Sequence, residues 1–238
     1  MMSTQKENAL SYRIVRRWLS ILILILQGVG TLCFIFPFIT GEKKSRKIKG
    51  WFHALLKILN VQIQVKGIKD LPSTSFLMVS NHISWFDIHL LNAHHPISFV
   101  AKSEVAGWLV FGWMAKQLGT LFIRRDDLKH ARNAVKEVAI ALGERSICIF
   151  PEGTSTAGNQ VLPFKPLLFE AAIQAKVPIY PVAIAYFCKE TGLRSQAAAF
   201  IGEMGLLESV GNILKSRGLN VTLTFLPPID LFKHSPKR

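Results

Sequence analysis

The chain has few cysteines and few charged residues for its length of 238 residues. Its three cysteines, Cys33, Cys148 and Cys188, lie far apart and form no C-x-x-C pair. This pattern excludes a disulfide scaffold and a cysteine zinc site, and it fits a reducing compartment. Charged residues make up 18% of the chain and hydrophobic residues 50%, which excludes a disordered protein. The length suits one domain with a full hydrophobic core.

Acidic residues are particularly scarce, because 15 Asp and Glu stand against 29 Lys and Arg, for a formal charge of +14. Such a charge predicts an anionic partner, which can be nucleic acid, anionic lipid or a phosphorylated substrate. Residues 1–50 hold nine of the basic residues and only two acids, while the 24 residues from Trp18 to Gly41 carry no charge. A helix of 24 residues is about 36 Å long, and a bilayer core is about 30 Å thick. The charge distribution therefore favours membrane lipid as a partner over nucleic acid, for which no recognised motif is present.

The uncharged segment leaves three interpretations open. It is a spanning helix, a helix–break–helix wedge in one leaflet that bends near Gln27–Gly30 with both ends cytoplasmic, or a cleaved signal peptide. No cleavage site of small residues follows the segment, which disfavours the signal peptide. Basic residues flank both ends, so the distribution of positive charge gives no orientation. We predict a basic and hydrophobic membrane anchor over residues 1–49 and a single domain over residues 50–238.

An amphipathic stretch follows the basic linker. Its apolar positions have helical spacing and are Ile48, Trp51, Phe52, Leu55, Leu56 and Leu59. Two environments suit such a helix equally well, namely the surface of a membrane and the core of the following domain.

From residue 61 onward, strand-like and helix-like segments alternate. The predicted strands cover residues 61–65, 75–80, 97–101, 120–123, 146–150, 179–185 and 221–226. The predicted helices cover residues 127–142, capped by Asp126 or Asp127 and ended by Gly143, and residues 166–174, which begin with Pro166. This alternation predicts an α/β fold with a mostly parallel sheet flanked by helices.

Residues that are able to perform chemistry follow the predicted strands. His82 comes just after the strand at residues 75–80, at the edge where α/β sheets tend to place their sites. Asp87, five residues later, is able to bond one imidazole nitrogen and leave the other to accept a proton. No G-x-S-x-G elbow, P-loop or dinucleotide-binding glycine pattern is present. The pair is therefore predicted to act directly as a general base on a substrate hydroxyl.

Three further segments share this position after strands. Residues 119–125 (GTLFIRR) bring two guanidinium groups, and residues 150–156 (FPEGTST) form a turn with an acid, a glycine and hydroxyl groups. Arginine beside such turns is suited to binding a phosphate, because guanidinium and turn amides supply several donors. Residues 177–182 (VPIYPV) lead into another strand. Taken singly, each segment has an ordinary structural explanation.

Together and in this order, the four segments resemble the motifs of the glycerolipid acyltransferases, in particular the bacterial 1-acylglycerol-3-phosphate acyltransferases and their lysophospholipid relatives. The resemblance covers about residues 50–230. It implies transfer of a fatty acyl group from acyl-CoA or acyl carrier protein, as co-substrate and without a cofactor, to the free hydroxyl of a lysophospholipid. It implies His82 as base and Asp87 as its orienting partner, with a head-group site made of Arg125, Glu152, Gly153 and Thr154.

The resemblance also implies a role in phospholipid biosynthesis at a bacterial inner membrane, with the active site on the cytoplasmic face because the thioester donor is cytosolic. Two positions depart from the family pattern. In residues 150–156, which correspond to motif three, Ser155 stands where the family often has Arg. In residues 119–125, which correspond to motif two, Arg124 stands where the family often has Asp. The first expected acceptor is 1-acylglycerol-3-phosphate, and lyso-ornithine lipid is the alternative.

Two other interpretations account for the sequence less well. A metal site made of Asp87 with His89, His94 and His95 is disfavoured, because on a helix these residues either face different directions or lie about 10 Å apart. A protein that binds anionic lipid without catalysis accounts for the charge and the anchor. It does not account for a His and Asp pair at a strand end before the Arg and Glu-Gly-Thr segments.

Overall fold

The structure is a computed structural model that describes residues 2–68, 70–124 and 128–230. Arg125 and the predicted helix caps Asp126 and Asp127 therefore lie outside the described residues. The helices are α1 (Met2–Phe34), α2 (Gly41–Leu59), α3 (Asp87–His94), α4 (Leu109–Gln117), α5 (Leu128–Leu142), α6 (Phe169–Ala175) and α7 (Leu206–Lys215). The strands are β1 (Val61–Gly67), β2 (Leu77–Ser80), β3 (Ser98–Lys102), β4 (Leu121–Ile123), β5 (Ile147–Ile149), β6 (Ile179–Cys188) and β7 (Leu219–Phe225).

The strands form one sheet in the order β1-β7-β6-β2-β5-β3-β4. Neighbouring strands are parallel except for β6 and β7, which run antiparallel. The predicted α/β fold with a mostly parallel sheet is thereby confirmed. Because β2, β5, β3 and β4 all point the same way, the loops that follow them leave from one edge of the sheet.

Helices cover both faces of the sheet, and alternate residues of the central strands pack on opposite sides. Leu77 and Val79 of β2 pack with α5 and α6, while Met78 lies in the core on the side of α2, α3 and α7. Because successive residues point to opposite faces and both faces are covered, every residue of the short strands β2 and β5 is apolar or buried. The strands therefore form continuous apolar runs in the sequence.

The N-terminal segment is a helical hairpin. Helix α1 continues unbroken through residues 27–30, where a bend was one of the predicted possibilities, and the chain turns at residues 35–40 instead. Pro37 lies in the first turn of a short 3₁₀ helix there, a position that needs no amide hydrogen. By length and composition, the stretch Tyr12–Phe38 is apolar enough to cross a membrane. Helix α1 is thus the candidate membrane anchor.

Helix α2 returns along α1 and packs against the domain. Its residues Phe52, Leu55, Leu56 and Leu59 are buried in the core, so the amphipathic stripe faces protein. The boundary predicted between residues 49 and 50 falls inside this continuous helix. The sequence changes from basic to apolar near this position, and a helix with one basic face and one apolar face continues through that change without interruption.

Candidate active site

Asn81, at the start of the site, is hydrogen-bonded to a neighbouring strand in the middle of the sheet. It follows the last residue of β2, and its side-chain amide bonds the backbone of Ile184 on β6 in both directions. The amide Nδ2 donates to the Ile184 carbonyl at 3.1 Å, and the Ile184 N–H donates to Oδ1 at 2.7 Å. These two bonds therefore position the next residue, His82, at the edge of the sheet.

His82 and Asp87 are in direct contact. The imidazole Nδ1 lies 2.9 Å from Oδ2 of Asp87, which is fully buried at the start of α3. The same oxygen accepts backbone hydrogen bonds from Ile83 at 2.8 Å and Ser84 at 2.9 Å. Because this oxygen accepts from two backbone N–H groups, we assign it as the acceptor of the imidazole contact as well, with the proton on Nδ1. The other nitrogen, Nε2, is left to accept a proton.

Tyr186 completes the surroundings of Asp87, and the sequence analysis did not identify it. Its hydroxyl donates to Oδ1 of Asp87 at 2.6 Å across the core. Burial and the charge of Asp87 raise the pKa of Tyr186 well above its ordinary value, so the phenol stays a donor. The available signal was a tyrosine on the core-facing side of a predicted strand, because a buried phenol needs a hydrogen-bond partner.

The ring plane of His82 is fixed by Phe150. The two rings are stacked with centroids 4.1 Å apart and planes inclined by 16°. Phe150 in turn stacks on Phe99 of β3. The side chain of His82 is 21% exposed, so the imidazole reaches solvent while its orientation is set from two sides.

Glu152 ties the backbone of His82 to the motif-three loop. Its Oε1 accepts the His82 N–H at 2.6 Å, and its Oε2 accepts the Leu162 N–H at 2.7 Å. The carbonyl of His82 accepts the Thr156 N–H at 2.9 Å from the same loop. Glu152 is 2% exposed and has a backbone donor on each oxygen. Its predicted part in head-group binding stays a prediction, and the observed contacts give it a positioning role.

Gly153 lies beside a cation. Gly153 has a φ of +74°, and a Cβ added to it would lie 2.8 Å from the Nζ of Lys165. Lys165 is held over the loop because its N–H donates to the Pro151 carbonyl at 2.9 Å. Thr154, the next residue along the chain, is exposed. An exposed hydroxyl, a glycine backbone and a lysine are suited to an anionic or polar group. The head-group role of Gly153 and Thr154 stays a prediction.

The basic residues of motif two are only partly described. Arg124 follows β4 at the same sheet edge as His82 and Glu152, whereas Arg125, the predicted head-group ligand, lies outside the described residues. Ser155, which replaces the family's usual Arg, donates its hydroxyl to the Phe200 carbonyl. At this position the loop is therefore hydrogen-bonded to another part of the protein, and the Ser155 hydroxyl is already paired.

The three remaining histidines of this region lie in separate surroundings. His89 packs among aromatic rings, with Trp85 at 4.9 Å and Phe52 at 5.2 Å between centroids, and burial lowers its pKa to about 4. His94 lies against Phe225, and His95 lies against Phe76. Over the described ranges, no three His, Cys, Asp or Glu side chains form a group that could hold a metal ion.

Comparisons with known proteins identify the family of this chain. A family model described as Acyltransferase matches residues 62–185. The lyso-ornithine lipid O-acyltransferase of Pseudomonas aeruginosa is 37% identical over 187 residues, which cover 78% of this chain and 70% of that protein. The 1-acyl-sn-glycerol-3-phosphate acyltransferase of Neisseria meningitidis is 31% identical over 192 residues, covering 79% and 74%.

A solved structure shares the fold. The crystal structure of the 1-acyl-sn-glycerophosphate (LPA) acyltransferase, PlsC, from Thermotoga maritima superposes with a TM-score of 0.68, covers 98% of this chain and 90% of that one, and is 19% identical. The match of the family model, the two relatives and the order of the four motifs lead to one conclusion: the chain belongs to the acyltransferase family.

Proposed function

We propose that the protein transfers a fatty acyl group from an acyl thioester, acyl-CoA or acyl carrier protein, to the free hydroxyl of a lysophospholipid. The observation that carries this proposal is the contact between His82 Nδ1 and Asp87, which leaves Nε2 as a base at the exposed edge of the sheet. Family membership supports the reaction type.

The proposed reaction has one covalent step without an acyl-enzyme. The acceptor oxygen attacks the thioester carbonyl as Nε2 of His82 takes its proton. Asp87 stabilises the resulting imidazolium, while the C–O bond forms and the C–S bond breaks. The imidazolium then returns the proton to the departing thiolate, so the charges balance. His82 is suited to this exchange because stacking on Phe150 and two backbone hydrogen bonds hold it in place.

The acceptor head group is proposed to lie over the motif-two and motif-three loops. Arg125, Gly153 and Thr154 are its proposed ligands, with Lys165 as an additional cation. Glu152 is assigned a positioning role in this proposal, because both of its oxygens accept backbone N–H groups. If 1-acylglycerol-3-phosphate is the acceptor, its phosphate would accept hydrogen bonds from the Arg125 guanidinium, the Lys165 ammonium and the loop backbone.

Lyso-ornithine lipid is the second candidate acceptor, and two observations favour it. The relative of that name is more similar to this chain, at 37% identity, than the 1-acylglycerol-3-phosphate acyltransferase of Neisseria meningitidis at 31%. Ser155 removes one cation from motif three and is bonded to the Phe200 carbonyl. A head group that carries an amine beside a carboxylate requires less positive charge than a phosphate.

We further propose that the helical hairpin inserts into one leaflet of the bacterial inner membrane, with the active site on the cytoplasmic face. Ile21 and Leu24 of α1 are buried in the same core as the domain, and Arg17 donates to the Leu214 carbonyl of α7 at 3.5 Å. Ile25 also packs on that core, and α1 continues for only nine residues beyond it, from Leu26 to Phe34, which measure about 14 Å in a helix. A bilayer core of about 30 Å is too thick for that length, which favours insertion over spanning.

The proposal is tested by an acyl-transfer assay on the purified full chain, with radiolabelled acyl-CoA or acyl carrier protein and a panel of lysolipids. We expect transfer to 1-acylglycerol-3-phosphate or to lyso-ornithine lipid, and complete loss of transfer in His82→Ala. His53→Ala, at an exposed histidine of α2, is the control and is expected to keep full activity. An active His82→Ala protein would contradict the mechanism, and binding of lysolipid without transfer would contradict the enzyme function.

A further inference from the structure

A large apolar pocket lies between α1, α2 and α4. Its volume is about 610 Å³, within the range of sites that bind small organic ligands. The walls are mainly aliphatic and aromatic and include Leu32, Ile35, Trp51, Met114 and Leu118. A pocket of this kind is suited to a hydrocarbon chain.

The pocket is separate from the catalytic pair. Trp51 and Phe52 form its wall on the side of the domain, and the half-buried ring of His89 lies behind them, 5.2 Å from Phe52 between centroids. The wall is also fixed to α1, because the indole N–H of Trp51 donates to the Leu24 carbonyl at 2.8 Å. Neither His82 nor Asp87 lines this pocket, so a chain in it would lie beside the hairpin.

Two cations stand among the residues that line the pocket. Arg46 and Lys47, on the first half of α2, are both exposed. A hydrocarbon pocket with Arg and Lys beside it matches an acyl chain joined to an anionic head group, and basic pockets between membrane helices bind such lipids.

We propose that this pocket binds one acyl chain of an anionic bilayer phospholipid, with the lipid phosphate at Arg46 and Lys47. The inference rests on the proposed insertion of the hairpin, which would expose the pocket to lipid. The bound molecule is a resident lipid that stabilises the packing of α1 on α2, in addition to the lysolipid that is acylated at His82.

The glycines of the pocket provide a direct test. Gly30 and Gly50 both line it, and a Cβ added at either position would meet no atom within 4 Å. Gly30→Phe is therefore expected to fill the pocket without a backbone clash. Gly211→Phe is the matched control, because Gly211 is also a helical glycine with no atom near an added Cβ and lies outside the pocket, on α7.

The measurement is native mass spectrometry of the full chain, exchanged in detergent into equal amounts of phosphatidylglycerol and phosphatidylcholine. We expect one retained phospholipid, with phosphatidylglycerol preferred at least fivefold, and at least tenfold less lipid on Gly30→Phe than on Gly211→Phe. If melting shows that Gly30→Phe is unfolded, Gly50→Leu replaces it. Equal lipid retention by the filled and control variants, or no retained lipid on the unaltered protein, overturns the proposal.

The head-group contact is tested in the same mixture. Arg46→Gln with Lys47→Gln is expected to remove the preference for phosphatidylglycerol, whereas Arg132→Gln with Lys136→Gln, two exposed residues of α5, keeps it. An unchanged preference after the first pair of substitutions contradicts the assignment of the phosphate. His82→Ala is expected to retain the lipid while losing acyl transfer, so failure of this proposal and failure of the proposed function give different results.

Discussion

The Tyr186 hydroxyl donates to one oxygen of Asp87 while the other oxygen bonds His82. Tyr186 therefore acts on the base through the carboxylate and does not touch the imidazole in these contacts. Tyr186→Phe removes a hydrogen bond to a buried charge, which is worth about 1.5–3 kcal/mol. We expect a lower melting temperature and a kcat reduced about tenfold with little change in KM, measured by steady-state acyl transfer.

Tyr180→Phe is the control for that substitution. Tyr180 lies on the same strand, β6, and packs against Phe76, so its change removes a phenol hydroxyl away from Asp87. We expect its kcat to match that of the unaltered protein. If both variants lose activity equally, the loss comes from a general disturbance of β6. The positioning role assigned to Tyr186 would then be wrong.

Glu152 provides a second prediction about positioning. In Glu152→Gln, one oxygen that accepts a backbone N–H becomes an NH₂ group, so a donor would face the N–H of either His82 or Leu162. A buried unsatisfied donor costs about 1–3 kcal/mol. We expect kcat to fall at least tenfold and the melting temperature to drop, whereas Glu170→Gln, at an exposed position of α6, changes neither. A variant that raises only KM would instead favour direct contact between Glu152 and the acceptor.

The sheet and the His82–Asp87 pair could be predicted because their signals are local. Each strand is a short apolar or alternating segment next to turn residues, and the four residues 83–86 join His82 to Asp87. Tyr186 is 99 residues from Asp87, and no local pattern records their contact. The hairpin likewise depends on the bond from Trp51 to Leu24 and on Gly28, where a Cβ would lie 2.7 Å from the indole nitrogen. Such close contacts form only when the helices pack together, so no pattern along the sequence predicts them.

Stability is expected to fall in mild acid because of His89. Burial lowers its pKa from 6.5 to about 4 in the folded protein. Below pH 6.5 the unfolded chain binds a proton that the folded protein does not, so stability is greatest above 6.5 and falls as the pH drops toward 4. The full effect of this shift is about 3 kcal/mol. His95, whose pKa is also lowered to about 4, adds to the fall in the same direction.

Melting temperatures in detergent at pH 7.5 and pH 5 measure this effect. His89→Gln keeps a neutral polar side chain at both values, so we expect a smaller difference between the two melting temperatures than in the unaltered protein. His53→Gln, at an exposed position of α2, is expected to keep the full difference. An unaltered pH dependence in His89→Gln would assign the acid sensitivity to other groups.

The exposed apolar end of α4 predicts a second point of membrane contact beside the hairpin. Trp108, Leu109, Val110 and Phe111 are all exposed, Leu109 at 92%, and Met114 of the same helix packs with Leu32 and Phe36 of the hairpin. Since this surface adjoins the proposed anchor, we expect Leu109→Asp to weaken binding to phosphatidylglycerol vesicles at least threefold in flotation assays. Ile140→Asp, at a residue 72% exposed on α5, is the control and should bind as the unaltered protein does. Equal binding by both variants would confine membrane attachment to the hairpin.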